Sequence, residues 1–217
     1  MKGLFITFEG PDGSGKSTQL QLLAEKLTND GLEPLVTREP GGTYISDKIR
    51  ALLLDPEHKG MIHQTEVLLY AASRAQHVHE KIIPALQQNR IVLCDRYIDA
   101  SIAYQAYGLG IDLDVVSLIS QFASSGLKPS RSYFMDLPVE LSRERLLSRN
   151  GGATGAGLDR IEQRDENYHS RVRQGFLNIA ASEPERVKLV KADRPAHVIA
   201  EEIAEDFVKL YTPGLRS

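Results

Sequence analysis

Residues 10–17 read Gly10-Pro11-Asp12-Gly13-Ser14-Gly15-Lys16-Ser17, directly after the apolar run Leu4-Phe5-Ile6-Thr7-Phe8-Glu9 and directly before a segment with Leu20, Leu23 and Leu27 at helical spacing. A strand, a glycine-rich turn and a helix in immediate succession leave few ways to fold. The glycines let the backbone turn tightly and point N–H groups at phosphate oxygens, and a helix starting near Gly15 adds the positive end of its dipole. Two glycines, a lysine and a hydroxyl in this order match the phosphate-binding P-loop pattern. Lys16 can reach the β- and γ-phosphates of a nucleoside triphosphate, and the Ser17 hydroxyl can ligate Mg²⁺. Residues 10–17 with Thr18 are therefore the candidate ATP-binding set: Gly10, Pro11, Asp12, Gly13, Ser14, Gly15, Lys16, Ser17 and Thr18.

The rest of the chain repeats the alternation. Apolar, β-branched or aromatic runs at 4–9, 34–38, 90–95, 131–136 and 187–191 read as strands, and several lack a clean alternation, as strands covered on both faces do. Amphipathic segments at 15–29, 43–54, 63–88, 112–124, 139–149, 162–181 and 196–210 read as helices. The expected architecture is α/β: a three-layer P-loop NTPase fold with a five-stranded parallel sheet flanked by helices. A length of 217 residues suits one domain over 1–217. The uncharged run Asn-Gly-Gly-Ala-Thr-Gly-Ala-Gly at 150–157 lies between arginine-bearing segments and reads as a mobile loop.

Composition excludes several classes. The formal net charge of −3 argues against a general nucleic-acid binder. The one cysteine, Cys94, cannot form an internal disulfide and reads as a small core residue. No apolar stretch approaches the roughly 20 residues that cross a bilayer, and the N-terminal apolar run is too short for a signal peptide. No membrane partner and a cytoplasmic location are expected. The chain has no Asn-Lys-x-Asp segment of the kind that reads guanine in signalling GTPases.

A second carboxylate marks the metal side. Ile91-Val92-Leu93-Cys94-Asp95 is an apolar strand ending in an aspartate, which in P-loop proteins helps hold Mg²⁺ beside the loop hydroxyl. Arg96 follows at once, which suits a place where two phosphates meet. Further on, Thr37-Arg38-Glu39-Pro40-Gly41-Gly42-Thr43 follows the second strand, and Leu69-Tyr70-Ala71-Ala72-Ser73-Arg74 lies on a long helix. Asp95-Arg96-Tyr97 is followed by Ser101 and Ala103-Tyr104-Gln105, and Leu158-Asp159-Arg160-Ile161-Glu162 follows the glycine-rich run.

Taken together, in this order and over nearly the whole chain, these motifs resemble the thymidylate (dTMP) kinase family. The resemblance implies phosphoryl transfer from ATP to dTMP with Mg²⁺, giving dTDP and ADP for DNA-precursor synthesis, and a homodimer. It implies that Tyr70 stacks on the base, that Arg74 donates to thymine O4, and that Ser101 and Gln105 reach other polar edges. It implies that Arg50 and Arg96 hold the acceptor phosphate. Asp12 would lie near the deoxyribose 3′-hydroxyl and Mg²⁺, with Ser17 and Asp95 also at the metal, and Tyr104 would pack against the 2′ face of the sugar. Glu39 joins the dTMP side, and Asp193, in Ala192-Asp193-Arg194-Pro195, the adenine side. A lid over about 149–161 would close on ATP. Because the P-loop carries no arginine, the lid would supply one, Arg149 or Arg160; Arg149 alternatively lies against adenine. The catalytic set so implied is Lys16, Arg96, Arg160, Arg149 and Asp12. A phosphate monoester with a second pKa of about 6 needs no general base. No histidine–carboxylate pair stands out either, since His77 and His79 are two apart and do not share a helix face.

Overall fold

A computed structural model of the protein describes residues 3–149 and 157–211. Five strands, β1 (Leu4–Glu9), β2 (Leu35–Arg38), β3 (Ile91–Asp95), β4 (Arg131–Asp136) and β5 (Val187–Lys191), form one all-parallel sheet in the order β2-β3-β1-β4-β5. β1 is central because both its faces are apolar. Ile6 and Phe8 face Leu20, Leu23 and Leu27 of α1 (Lys16–Asn29) and Ile199, Ile203 and Phe207 of α9 (Ala196–Tyr211). Phe5 points the other way, onto Val78, Ile82, Val92, Cys94 and Tyr97. Each such large side chain, once fully buried, contributes about 1.5–3 kcal/mol. Between β1 and its two neighbours the strand order reverses, and the crevice beyond the carboxyl ends of these strands is where open α/β sheets bind ligands. The P-loop leaves β1 there.

The remaining helices are α2 (Tyr44–Leu54), α3 (His63–His77), α4 (Ile83–Gln87), α5 (Ile98–Ser101), α6 (Leu113–Ala123), α7 (Val139–Arg149) and α8 (Glu166–Ser182). The three-layer α/β expectation is met, with three local differences. The single helix expected over 63–88 is interrupted by a π-helical turn at Val78–Ile82. Pro84 follows it, and a proline lacks the N–H that an α-helical ladder needs, so the turn widens there. No element was expected between 95 and 112, yet α5 runs into a second π-helical turn at Ile102–Gly108. The helix expected from 162 begins at Glu166 because Asp165 caps it, accepting from Tyr168 N at 2.7 Å. Cys94 is buried and free, and burial pushes its thiol well above the usual range. Among the described residues, no helix is long and apolar enough to cross a membrane.

Candidate functional site

The P-loop is built as a backbone cradle. Gly10 has φ 132°, and a Cβ there would sit 2.6 Å from the Met135 carbonyl oxygen, so only glycine lets β1 turn this close to β4. Gly15 precedes α1 with no side-chain cap bond, which leaves the first-turn amides directed at the loop. Lys16 is buried; its Nζ donates to Pro11 O at 2.8 Å and lies 3.9 Å from Asp12 Oδ1. Burial and then the charge of Arg96 push this ammonium below its ordinary range. Ser17 Oγ donates to Asp95 Oδ2 at 2.6 Å, bringing hydroxyl and carboxylate together at the mouth of the loop. Thr18 lines the same cleft. At the buried end of β1, burial and then the charge of Asp99 push the Glu9 carboxyl well above the usual carboxylate range.

A second cleft opens beside the first. It is lined by Tyr70, Arg74, Ser101, Tyr104 and Gln105, while Asp12, Glu39, Arg50 and Arg96 line both clefts. Arg96 is the hinge between them. Its backbone is left-handed, with φ 66°, and its N–H donates to Phe8 O at 2.9 Å. Its Nη1 donates to Gly10 O at 2.9 Å and its Nη2 to Asp12 Oδ1 at 2.8 Å, and the guanidinium carbon lies 4.9 Å from the centre of the Tyr104 ring. Arg50 Nη1 donates to Pro40 O at 3.0 Å; burial and then the charge of Arg38 make its cationic form less favourable. Arg74 is locked deeper in, with Nε on Glu39 Oε2 at 2.8 Å and Nη2 on Tyr97 O at 3.0 Å and Ser101 Oγ at 2.9 Å. The arrangement is an anion cradle abutting a pocket with an aromatic wall and a fixed guanidinium, with two arginines at the seam.

The thymidylate kinase family model matches residues 8–203. The chain belongs to the thymidylate kinase family. Thymidylate kinase of Exiguobacterium sibiricum is 53% identical over 206 residues, covering 95% of this chain and 94% of that one. The enzyme of that name from Geotalea uraniireducens is 49% identical over 188 residues, covering 87% and 88%. A crystal structure of thymidylate kinase from Ehrlichia chaffeensis superposes with a TM-score of 0.75 at 32% identity, covering 95% of this chain and 99% of that one.

Several expectations carried by the thymidylate kinase resemblance are altered by the geometry. Arg160, expected at the phosphates, is buried away from both clefts, with Nη1 2.7 Å from Glu66 Oε2 and Nε donating to Leu53 O at 2.8 Å. Glu66, its partner, is itself fully buried. Arg149 ends α7, but its side chain and residues 150–156, the middle of the expected lid, lie outside the described residues. Asp193 is exposed in the loop after β5 and lines neither cleft. Ser101 and Gln105 line the acceptor cleft, but both are engaged by neighbours, Ser101 by Arg74 and Gln105 by Glu66. A histidine–carboxylate pair does exist. His77 Nδ1 is 2.9 Å from Glu39 Oε1 and its Nε2 is 2.7 Å from Thr37 Oγ1. Helix spacing could not reveal it because the partners come from β2 and the loop after it. Gly42 leaves the room, since a Cβ there would meet the His77 ring at 2.7 Å.

Two arginines were missed. Arg145 of α7 lines the P-loop cleft and its Nη1 donates to Gly13 O at 3.3 Å and Ala192 O at 3.2 Å, tying the loop to α7 and to the segment after β5. The signal was present as an arginine one turn before Arg149 on the same helix face. Arg38 also lines that cleft, held by Asp47 at 2.8 Å.

Proposed function

We propose that this chain is a dTMP kinase that transfers the γ-phosphoryl group of ATP to dTMP, giving dTDP and ADP for dTTP and DNA-precursor synthesis. The observation that carries the reading is the meeting of the two clefts at Asp12, Glu39, Arg50 and Arg96: a triphosphate in the P-loop and a nucleotide in the aromatic pocket would present phosphates to each other there.

On this reading the work is positioning and charge compensation. Lys16 exchanges Pro11 O for the β- and γ-phosphates. Arg96 and Arg50 hold the acceptor phosphate, which is largely dianionic at neutral pH and attacks without a general base. Tyr70 supports the base, Arg74 donates to O4, and Tyr104, held under Arg96, fills the space on the 2′ face of the sugar. Glu39 acts indirectly, by aiming Arg74. Arg145 and the loop at Ala192 and Asp193 flank the adenine side, and Arg149 with the lid remains the proposed source of a further cation. The Ser17–Asp95 pair at 2.6 Å fits Mg²⁺, a cation that takes one or two protein oxygens and completes its octahedron with phosphates and water; Asp12 is the next oxygen donor toward the acceptor. Among the described residues no group of three or more His, Cys, Asp or Glu could hold a metal ion by itself, so the nucleotide phosphates would have to supply the remaining ligands. Bound there with ATP, the ion would offset charge on the phosphates.

A coupled ADP-release assay over dTMP, dUMP, dCMP and dGMP tests the function. The account expects dTMP to be preferred; preference for a purine would overturn it.

The family's dimer is also proposed here. α3 and α6 lie side by side, and on them Leu68, Leu118 and Phe122 are 58%, 68% and 86% exposed, an apolar patch of the kind that marks interaction sites. By light scattering the protein is expected at twice its 24.1 kDa chain mass, and Phe122→Glu is expected to shift it to one. A monomeric wild type would contradict the assignment. A cytoplasmic location is proposed from the free, buried Cys94 and the nucleotide substrates.

A further inference from the structure

Glu66 lies on α3 one helical turn before Tyr70 and is fully buried. Its oxygens are claimed by residues from two other parts of the chain. Oε2 is 2.7 Å from Arg160 Nη1 and 2.6 Å from Arg164 Nη2, while Oε1 accepts from Gln105 Nε2 at 3.1 Å. A buried carboxylate is tolerated only with such partners. The consequence for Gln105 is specific. An amide has one face that donates and one that accepts. Beside two guanidinium groups Glu66 presents an acceptor, so the NH₂ of Gln105 must turn toward it. The carbonyl Oε1 turns away. Gln105 lines the acceptor cleft, and its side chain makes no other hydrogen bond among the described residues.

We infer that Glu66 is a positioning residue for base selection: by holding the NH₂ of Gln105, it presents the Gln105 carbonyl oxygen to the cleft as an acceptor for the N3–H of thymine. The inference rests on the dTMP kinase reading and deepens it. Thymine carries a hydrogen on N3 and an acceptor at O4, whereas cytosine carries a bare N3 and a donor at N4. Arg74 offers a donor and Gln105, so turned, an acceptor, which together complement thymine and oppose cytosine. Neither residue's position alone determines which end of the Gln105 amide faces the base; the charge behind it does.

The test is Glu66→Gln, assayed with dTMP and dCMP. The new carbonyl must stay with Arg160 and Arg164, which can only donate, so the new NH₂ faces Gln105 and turns its amide over. The ratio of kcat/KM for dTMP over dCMP is expected to fall roughly 10- to 100-fold, the scale of a buried hydrogen bond turned into a clash of donors. The loss falls on the KM for dTMP, with the KM for ATP moving less than about twofold. Glu66→Asp keeps an acceptor and retains the preference for dTMP. In a Gln105→Leu background, which has no amide to turn, Glu66→Gln changes the ratio by less than about twofold. An unchanged ratio in Glu66→Gln, or an equal fall in the Gln105→Leu background, would overturn the inference in favour of a purely structural staple. Should Glu66→Gln fail to fold, Arg164→Gln serves: it keeps the Oε1 acceptor and retains the preference, and loss of preference there would overturn the inference too. A wild-type protein that ignored dTMP would instead strike the kinase reading itself.

Discussion

Lys16→Ala is expected to lower kcat by roughly 10²–10³-fold, the scale of losing one preorganised charge at a transferring group, while the protein keeps its fold. The two parts of this expectation come from the same geometry. The Nζ group is buried, held by one carbonyl at 2.8 Å and only 3.9 Å from Asp12. Burial and Arg96 both work against its ammonium, and within the protein its one hydrogen bond is to Pro11 O. Its value arises when phosphate oxygens replace Pro11 O. Thermal melting should therefore move little and single-turnover transfer should collapse. Near-full activity would contradict the role of the P-loop; a collapsed fold would show that Lys16 supports the structure instead.

Arg96 is the second residue with a large expected effect, and it allows a sharper comparison. Arg96→Ala and Arg96→Gly both remove the guanidinium that spans Gly10 O, Asp12 and the Tyr104 ring, and both are expected to reduce kcat/KM for dTMP on the order of 10³-fold. They should differ in stability. The backbone at this position has φ 66°, a conformation that costs an L-residue about 1–2 kcal/mol and glycine essentially nothing. Arg96→Gly is therefore expected to melt higher than Arg96→Ala, with equal inactivity. Equal melting temperatures would mean that the left-handed turn is not strained. Retained turnover in either variant would remove Arg96 from the reaction.

Much of the fold was legible because its signals are local. The strand, loop and helix around Gly10–Ser17 announce themselves by glycine placement, and the β3 aspartate by its position at a strand end. What was not legible depends on long-range pairing. His77 meets Glu39 across 38 residues, and Gln105 meets Glu66 across 39; no spacing rule along one helix can find either. The same holds for Arg160. Its place in a lid-flanking motif suggested the phosphates, whereas a buried carboxylate on α3 holds it. The π-helical turn at Ile102–Gly108 escaped because its sequence shows neither a period of two nor one of 3.6. It brings Tyr104 and Gln105 into one pocket. Arg145 carries a local sequence signal, an arginine one turn before Arg149 on the same helix, but its contacts with Gly13 and Ala192 come from distant parts of the chain.

The most direct test of the central claim follows the phosphoryl group itself. With γ-labelled ATP, Mg²⁺ and dTMP, the account predicts label in dTDP in one-to-one ratio with ADP, and almost none as inorganic phosphate. Label released as phosphate, or carried to a nucleotide other than dTMP when several are supplied together, would contradict it.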